Sequence, residues 1–123
     1  MMMETIELIE NILADLNKVR GVEACAAVSR EGLLISAIMQ NKRFAESFAA
    51  MSATMFGAAE TVITELNKGL PDRVIVDSRH GRIIAVGAGP KALIVVLFNS
   101  GAGLGLVLIE LEKSAEKLKE LLS

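Results

Sequence analysis

Residues 41–71 read NKRFAESFAAMSATMFGAAETVITELNKGLP, and the reading of this stretch decides the fold. At 100° per residue, Phe44, Phe48, Met51, Met55, Ala58, Ala59, Val62 and Leu66 share one face of a helix and predict a core stripe. The opposite face carries Ala45, Ala49, Ala50, Ala53, Phe56, Gly57 and Ile63, and no charged residue lies between Glu46 and Glu60. A helix that is apolar or small all round is covered on both sides. A chain of 123 residues covers one side with its own sheet, so the other side is expected to meet another chain. Asn41 is the expected N-cap, its side chain accepting a backbone N–H. Lys68-Gly69-Leu70-Pro71 is the expected stop, with Gly69 left-handed and Pro71 unable to continue. Roughly 26 residues would make a rod of about 40 Å, crossing the sheet from edge to edge.

The totals agree with one domain spanning 1–123, large enough to bury a core without metals or disulfides. Hydrophobic residues make up 52% of the chain, which favours an oligomer. With no Trp or Tyr and a net charge of −2, nucleic acid is not an expected partner. The single cysteine, Cys25, excludes an intrachain disulfide and a cysteine-cluster metal site, and fits a reducing cytoplasm. The acidic N-terminus lacks the basic region of a secretory signal. The longest apolar run, Ala92 to Phe98, is far too short to span a bilayer, so no membrane insertion is expected.

Around the central stretch, the remaining elements follow from period and punctuation. Glu4 to Lys18 reads as a helix with Ile6, Ile9, Leu13 and Leu16 inward, acids early and Lys18 and Arg20 late. Gly21 ends it. Val22–Ser29 and Leu33–Ile38 read as a hairpin around Arg30-Glu31-Gly32. Arg73–Arg79, with charge at both ends and Asp77 within, suits an edge strand. Arg82–Ala88 follows a turn at His80-Gly81. Ala92–Phe98, apolar throughout, suits a central strand covered on both faces. A last helix starts near Gly103 to Gly105, with Leu104, Leu108, Leu111, Ala115, Leu118 and Leu122 at helical spacing. The order is α-β-β-α-β-β-β-α, and short links predict a largely antiparallel sheet. The fold class is α+β.

Little in the chain speaks of catalysis. No Lys follows a Gly, so no phosphate loop of the G-x-x-x-x-G-K type exists. Gly101-Ala-Gly103-Leu-Gly105 is a plain strand-to-helix link, because Leu106 stands where a dinucleotide turn needs its third Gly. His80 is the only histidine and reads as a solvated turn residue, while Cys25 reads as a small buried apolar side chain. Asp77, Arg79 and Arg82 lie close enough around one hairpin for a cross-strand ion pair. No catalytic, metal or cofactor residue is assigned, and binding is the expected class of function.

The helix, then Gly21-Val22-Glu23-Ala24 entering a strand, the hairpin Ser29-Arg30-Glu31-Gly32-Leu33-Leu34-Ile35-Ser36, the Ala-rich long helix and the strand Ala92–Leu97 together resemble the Roadblock/dynein light chain family. The resemblance implies a profilin-like fold, with a five-stranded antiparallel sheet between one long helix and the terminal helices. It further implies a homodimer joined through the third strand, with the long helices side by side, that binds and regulates or scaffolds a Ras-like small GTPase without enzymatic activity of its own. On this sequence the implied dimer and partner interface comprises Ala45, Ala49, Ser52, Ala53, Phe56, Gly57, Glu60 and Ile63 on the helix, and Val74, Val76 and Asp77 on the strand. Arg43, Arg79 and Arg82 are the basic residues nearest to acting on a partner's nucleotide. The alternatives are a purely structural subunit of a larger scaffold, and a ligand-sensing domain in which some of the six methionines line a pocket.

Overall fold

A computed structural model describes the backbone of residues 2–123 and the side chains from Glu4 onward. Helix α1 (Met2–Asn17) leads into a hairpin of β1 (Val22–Ser29) and β2 (Leu34–Ile38). A short 3-10 turn (Lys42–Phe44) precedes helix α2 (Ala45–Glu65). Strands β3 (Arg73–Asp77), β4 (Arg82–Ala88) and β5 (Ala92–Phe98) follow, and α3 (Leu104–Leu122) closes the chain. The strands form one antiparallel sheet in the order β2-β1-β5-β4-β3. The α+β class, the element order and the profilin-like arrangement are those expected.

Side-chain alternation explains the three layers. Along β5, Ile94, Val96 and Phe98 enter one core, while Leu93 and Val95 enter another. The first core lies under α1 and α3, which contribute Ile9, Leu13, Leu16, Val107, Leu111 and Leu118. The second lies under α2 and is built from smaller residues, among them Ala26, Ala49, Ala53 and Ala85 around Phe56. The apolar β5 therefore sits in the middle of the sheet, and the charged β3 sits at an edge, as their compositions predict.

The long helix is shorter than expected, at 21 residues or about 31 Å. Asn41 does cap, but it caps the 3-10 turn, its Oδ1 accepting the Arg43 N–H at 3.1 Å. At the far end the helix stops before Gly69. Asn67 takes the left-handed conformation (φ 58°), and Lys68 N–H reaches back to the Ile63 carbonyl at 3.1 Å. That bond closes the last turn at Asn67, and Gly69 two residues on is left-handed as expected (φ 85°). Strand β3 also ends early, at Asp77, because the Ser78 N–H and hydroxyl both donate to the Gly81 carbonyl and form the turn.

Candidate interaction surface

The structure reverses the two faces of α2. Ala45, Ala49, Ser52, Ala53 and Phe56, expected outside, are buried against the sheet. Of the stripe expected inside, Phe44, Met51, Val62 and Leu66 are 56%, 64%, 54% and 61% exposed. Ala58 is exposed as well, and Phe48, Met55 and Ala59 are half-buried. Both arcs are apolar, so periodicity alone does not choose between them. Side-chain size does: alanines let the helix backbone settle close to a sheet surface made of Ala26, Val28 and Ala85. A Phe/Met stripe in that place would hold the helix away and leave voids.

A residue that sequence reasoning passed over as part of a linker fixes this orientation. Arg30, just after β1, donates through Nη1 to Glu60 at 3.2 Å and through Nη2 to the Gly89 carbonyl at 2.7 Å. Its guanidinium also lies 5.3 Å from the centre of the Phe56 ring. Phe56 and Glu60 are four apart and share a helix face, so both must turn toward the sheet to meet it. The legible signal was Glu60 itself, a lone carboxylate on an otherwise uncharged face.

The interface residues therefore divide. Ala45, Ala49, Ser52, Ala53 and Phe56 belong to the chain's own core and offer no surface to a partner. Gly57, Glu60 and Ile63 are half-buried beside it, with Glu60 engaged by Arg30. Ala50 is exposed and lies on the other flank, its Cα near Gly32 in the β1–β2 turn. The exposed Phe/Met/Val stripe lies on the flank of α2 away from Ala50, and α2 also packs against the edge strand β3.

That edge is open. On β3, Val74 is half-buried toward α2, while Ile75 and Val76 are 43% and 40% exposed. Asp77 is exposed and paired with Arg82 directly across the β3–β4 ladder, the cross-strand ion pair expected of this hairpin. Arg43, Arg79 and His80 are exposed, and neither arginine has an ion pair among the described residues. Cys25 is fully buried, its thiol donating to the Leu13 carbonyl at 3.4 Å, and burial pushes its pKa up to about 12. Gly101–Gly105 is the link into α3, with Gly103 at its N-cap. Among the described residues no helix is long and apolar enough to cross a membrane, and no group of three or more His, Cys, Asp or Glu stands ready for a metal. Met51 and Met55 lie on the outer stripe rather than in the core, and the side chains of Met1–Met3 lie outside the described residues.

An uncovered apolar flank on the long helix, beside an open edge strand of a five-stranded sheet, sits in a chain whose residues 8–98 match the Roadblock/LC7 domain. The chain belongs to the Roadblock/LC7 family. An uncharacterized protein of Methanocaldococcus jannaschii is 33% identical over 112 residues, covering 91% of this chain and 97% of that protein. Among solved structures, Myxococcus xanthus MglB superposes with a TM-score of 0.88 at 19% identity, covering 95% of this chain and 89% of that one. An MglB described as having a tetrameric arrangement scores the same at 18% identity and the same coverage. A profilin solved in complex with rabbit actin, LokiProfilin1, shares the fold at a TM-score of 0.59, with 18% identity over 94% of this chain and 96% of that one.

Proposed function

We propose that this Roadblock/LC7 domain is a cytoplasmic, homodimeric docking module for a Ras-like small GTPase, without an active site of its own. The observation that carries the reading is the position of the exposed apolar stripe. Met51, Val62 and Leu66 are exposed and Met55 is half-buried on α2, a helix that also packs against the unpaired edge strand β3. Joining two copies through β3 would bring the two stripes together and cover both. Covering a large apolar side chain stabilises by about 1.5–3 kcal/mol, so a few such residues per copy supply a stable interface.

Dimerisation would leave the outermost arc of both helices exposed. On this chain that arc is uncharged and low in relief from Ala50 to Thr61: Ala50, Thr54, Ala58 and Thr61 are all exposed, and Glu65 follows at the helix end. The Thr54 and Thr61 hydroxyls donate back to the Ala50 and Gly57 carbonyls, at 2.9 and 3.1 Å, and so are partly spent on the helix itself. A flat, charge-free pair of helices suits a folded protein surface better than a nucleotide or a polyanion. The family resemblance names the partner class. Any effect on hydrolysis would come from ordering the partner's own switch segments, because Arg82 is engaged by Asp77 and only Arg43 and Arg79 of the three candidates remain free to act in trans.

The test measures binding to, and turnover by, the Ras-like GTPases of the source organism, each loaded with GDP or a non-hydrolysable GTP analogue. Nucleotide-dependent binding that is lost in Thr54→Arg, with the dimer intact, supports the docking reading. Binding indifferent to nucleotide and without effect on turnover would assign the domain to a structural scaffold instead. A tightly held small molecule in native mass spectrometry would favour ligand sensing.

A further inference from the structure

The antiparallel ladders bring four connections to one end of the sheet. Val22 of β1, Phe98 of β5, Arg82 of β4 and Asp77 of β3 lie in one row across it. Strand β2 runs back to that end as well, since Ile38 pairs with Cys25. The end therefore gathers the link from α1 to β1 (18–21), the stretch from β2 to α2 (39–44), the β3–β4 turn (78–81) and the link from β5 to α3 (99–103).

These four segments hold Lys18, Arg20, Lys42, Arg43 and Arg79, which are five of the chain's 13 Lys and Arg, and none of its 15 Asp and Glu. All five are exposed. Lys18 makes one loose ion pair with Asp15 at 3.6 Å, and the other four have none among the described residues. The acids near this end are set back inside the elements: Asp15 in α1, Glu23 in β1, Glu46 in α2, and Asp77 in β3, where Arg82 engages it. The opposite end shows no such separation. Its β1–β2 and α2–β3 connections each carry an acid and a base, Arg30 with Glu31 and Lys68 with Asp72. Apolar side chains stand among the exposed cations. Phe44, next to Arg43, is 56% exposed, and Leu106, 54% exposed, lines a hollow with Arg20, Gly21 and Asn99.

We propose that this end is a docking surface for an anionic lipid bilayer, on which the chain rests peripherally without crossing it. Three features select a bilayer among polyanions. The cations come from four separate segments spread over the width of the sheet, about 19 Å, which matches a broad field of phosphates rather than a single acidic strand. Their long stems reach headgroup phosphates while Phe44 and Leu106 enter the boundary beneath. Single-stranded nucleic acid would call for aromatic stacking, and the chain has no Trp or Tyr. The surface lies within a single chain, so it goes beyond the GTPase reading and does not depend on the dimer.

The test is sedimentation of the full chain with vesicles of phosphatidylcholine alone, or of phosphatidylcholine and phosphatidylglycerol in equal parts. Wild type should bind the mixed vesicles and leave the neutral ones, and added salt should weaken binding steeply by screening exposed charge. Arg20→Gln, Arg43→Gln and Arg79→Gln should each lower the partition coefficient about fivefold, and together by on the order of a hundredfold. Lys68→Gln/Lys91→Gln removes two cations from the opposite end and should change it by less than about twofold, since the attraction fades within a Debye length. Phe44→Ser should weaken binding in low and high salt alike, because burial of an apolar ring is not screened. Circular dichroism confirms that each variant is folded. Absence of binding to the mixed vesicles at low salt, equal binding to neutral ones, or equal losses from substitutions at the two ends would overturn the proposal. Displacement from the vesicles by polyglutamate at matched charge would overturn it too, and would assign the surface to an acidic protein partner.

Discussion

At the scale of single residues, Gly21 is the least replaceable position between α1 and β1. Its φ is 94°, and a Cβ there would meet the Ala102 Cβ at 2.4 Å. Gly21→Ala combines left-handed strain with a clash against the loop into α3, and should cost about 2–4 kcal/mol in denaturant unfolding. Cys25 makes the opposite kind of claim, that a nucleophile is inert. Burial raises its thiol from 9.0 to about 12, so thiol reagents should modify native protein only through unfolding. Because the folded value is the raised one, the thiol's contribution is fully present below pH 9 and is lost as pH rises toward 12. Unfolding of wild type and Cys25→Ala compared at pH 8 and pH 11 should show the wild type losing more. Phe56 is a third case, since its ring is 2% exposed and lies beneath the Arg30 guanidinium. Phe56→Ala should destabilise by about 3–5 kcal/mol. Phe56→Glu should unfold the chain and so says nothing about an interface.

At the scale of elements, α2 shows what periodicity leaves open. Its two apolar arcs lie about a quarter-turn to a third of a turn apart. One is small (Ala45, Ala49, Ala53) and the other large (Phe44, Met51, Val62), and the small one is inside. The limits of β1, β4 and β5 were legible because their signals do not compete: the turn residues Gly32 and Gly89 both have positive φ, and these strands run between such punctuation. The inner and outer arcs were exchanged because hydrophobicity counts alike toward a core and toward an exposed apolar surface. Met51→Glu separates the two. Met51 is 64% exposed, so the substitution should leave unfolding free energy within about 0.5 kcal/mol of that of any residual monomer. It should also convert the dimer to a folded monomer in light scattering, because it buries an unpaired charge at the proposed joint. A dimer that persists in this variant would move the interface elsewhere.

At the scale of the whole molecule, the sheet separates two cores of different character. The α1–α3 side holds the large, fully buried residues Leu13, Leu16, Phe98, Leu111 and Leu118. The α2 side is thinner and alanine-rich. Apolar side chains are exposed on α2 (Met51, Val62) and on the helices of the other side (Ile6, Leu8, Leu106, Ile109) alike. Stability should follow the first core and association the second. Leu111→Ala should therefore lower stability by about 2–5 kcal/mol while leaving the dimer constant of the folded protein unchanged.

Taken alone, the sequence determined the class, the element order, the central place of β5, the edge place of β3 and membership of the family pattern. It could do so because composition, turn residues and periodicity are local, and each pointed to one answer. Which arc of α2 faces the sheet was decided only by tertiary structure. That choice depends on the depth of the sheet surface beneath the helix and on Arg30, which reaches Glu60 from 30 positions away. The same holds for the free groups of β3. The charges of Arg73 and Asp77 are plain in the sequence, but only the ladder with β4 shows which backbone groups of this strand remain unpaired.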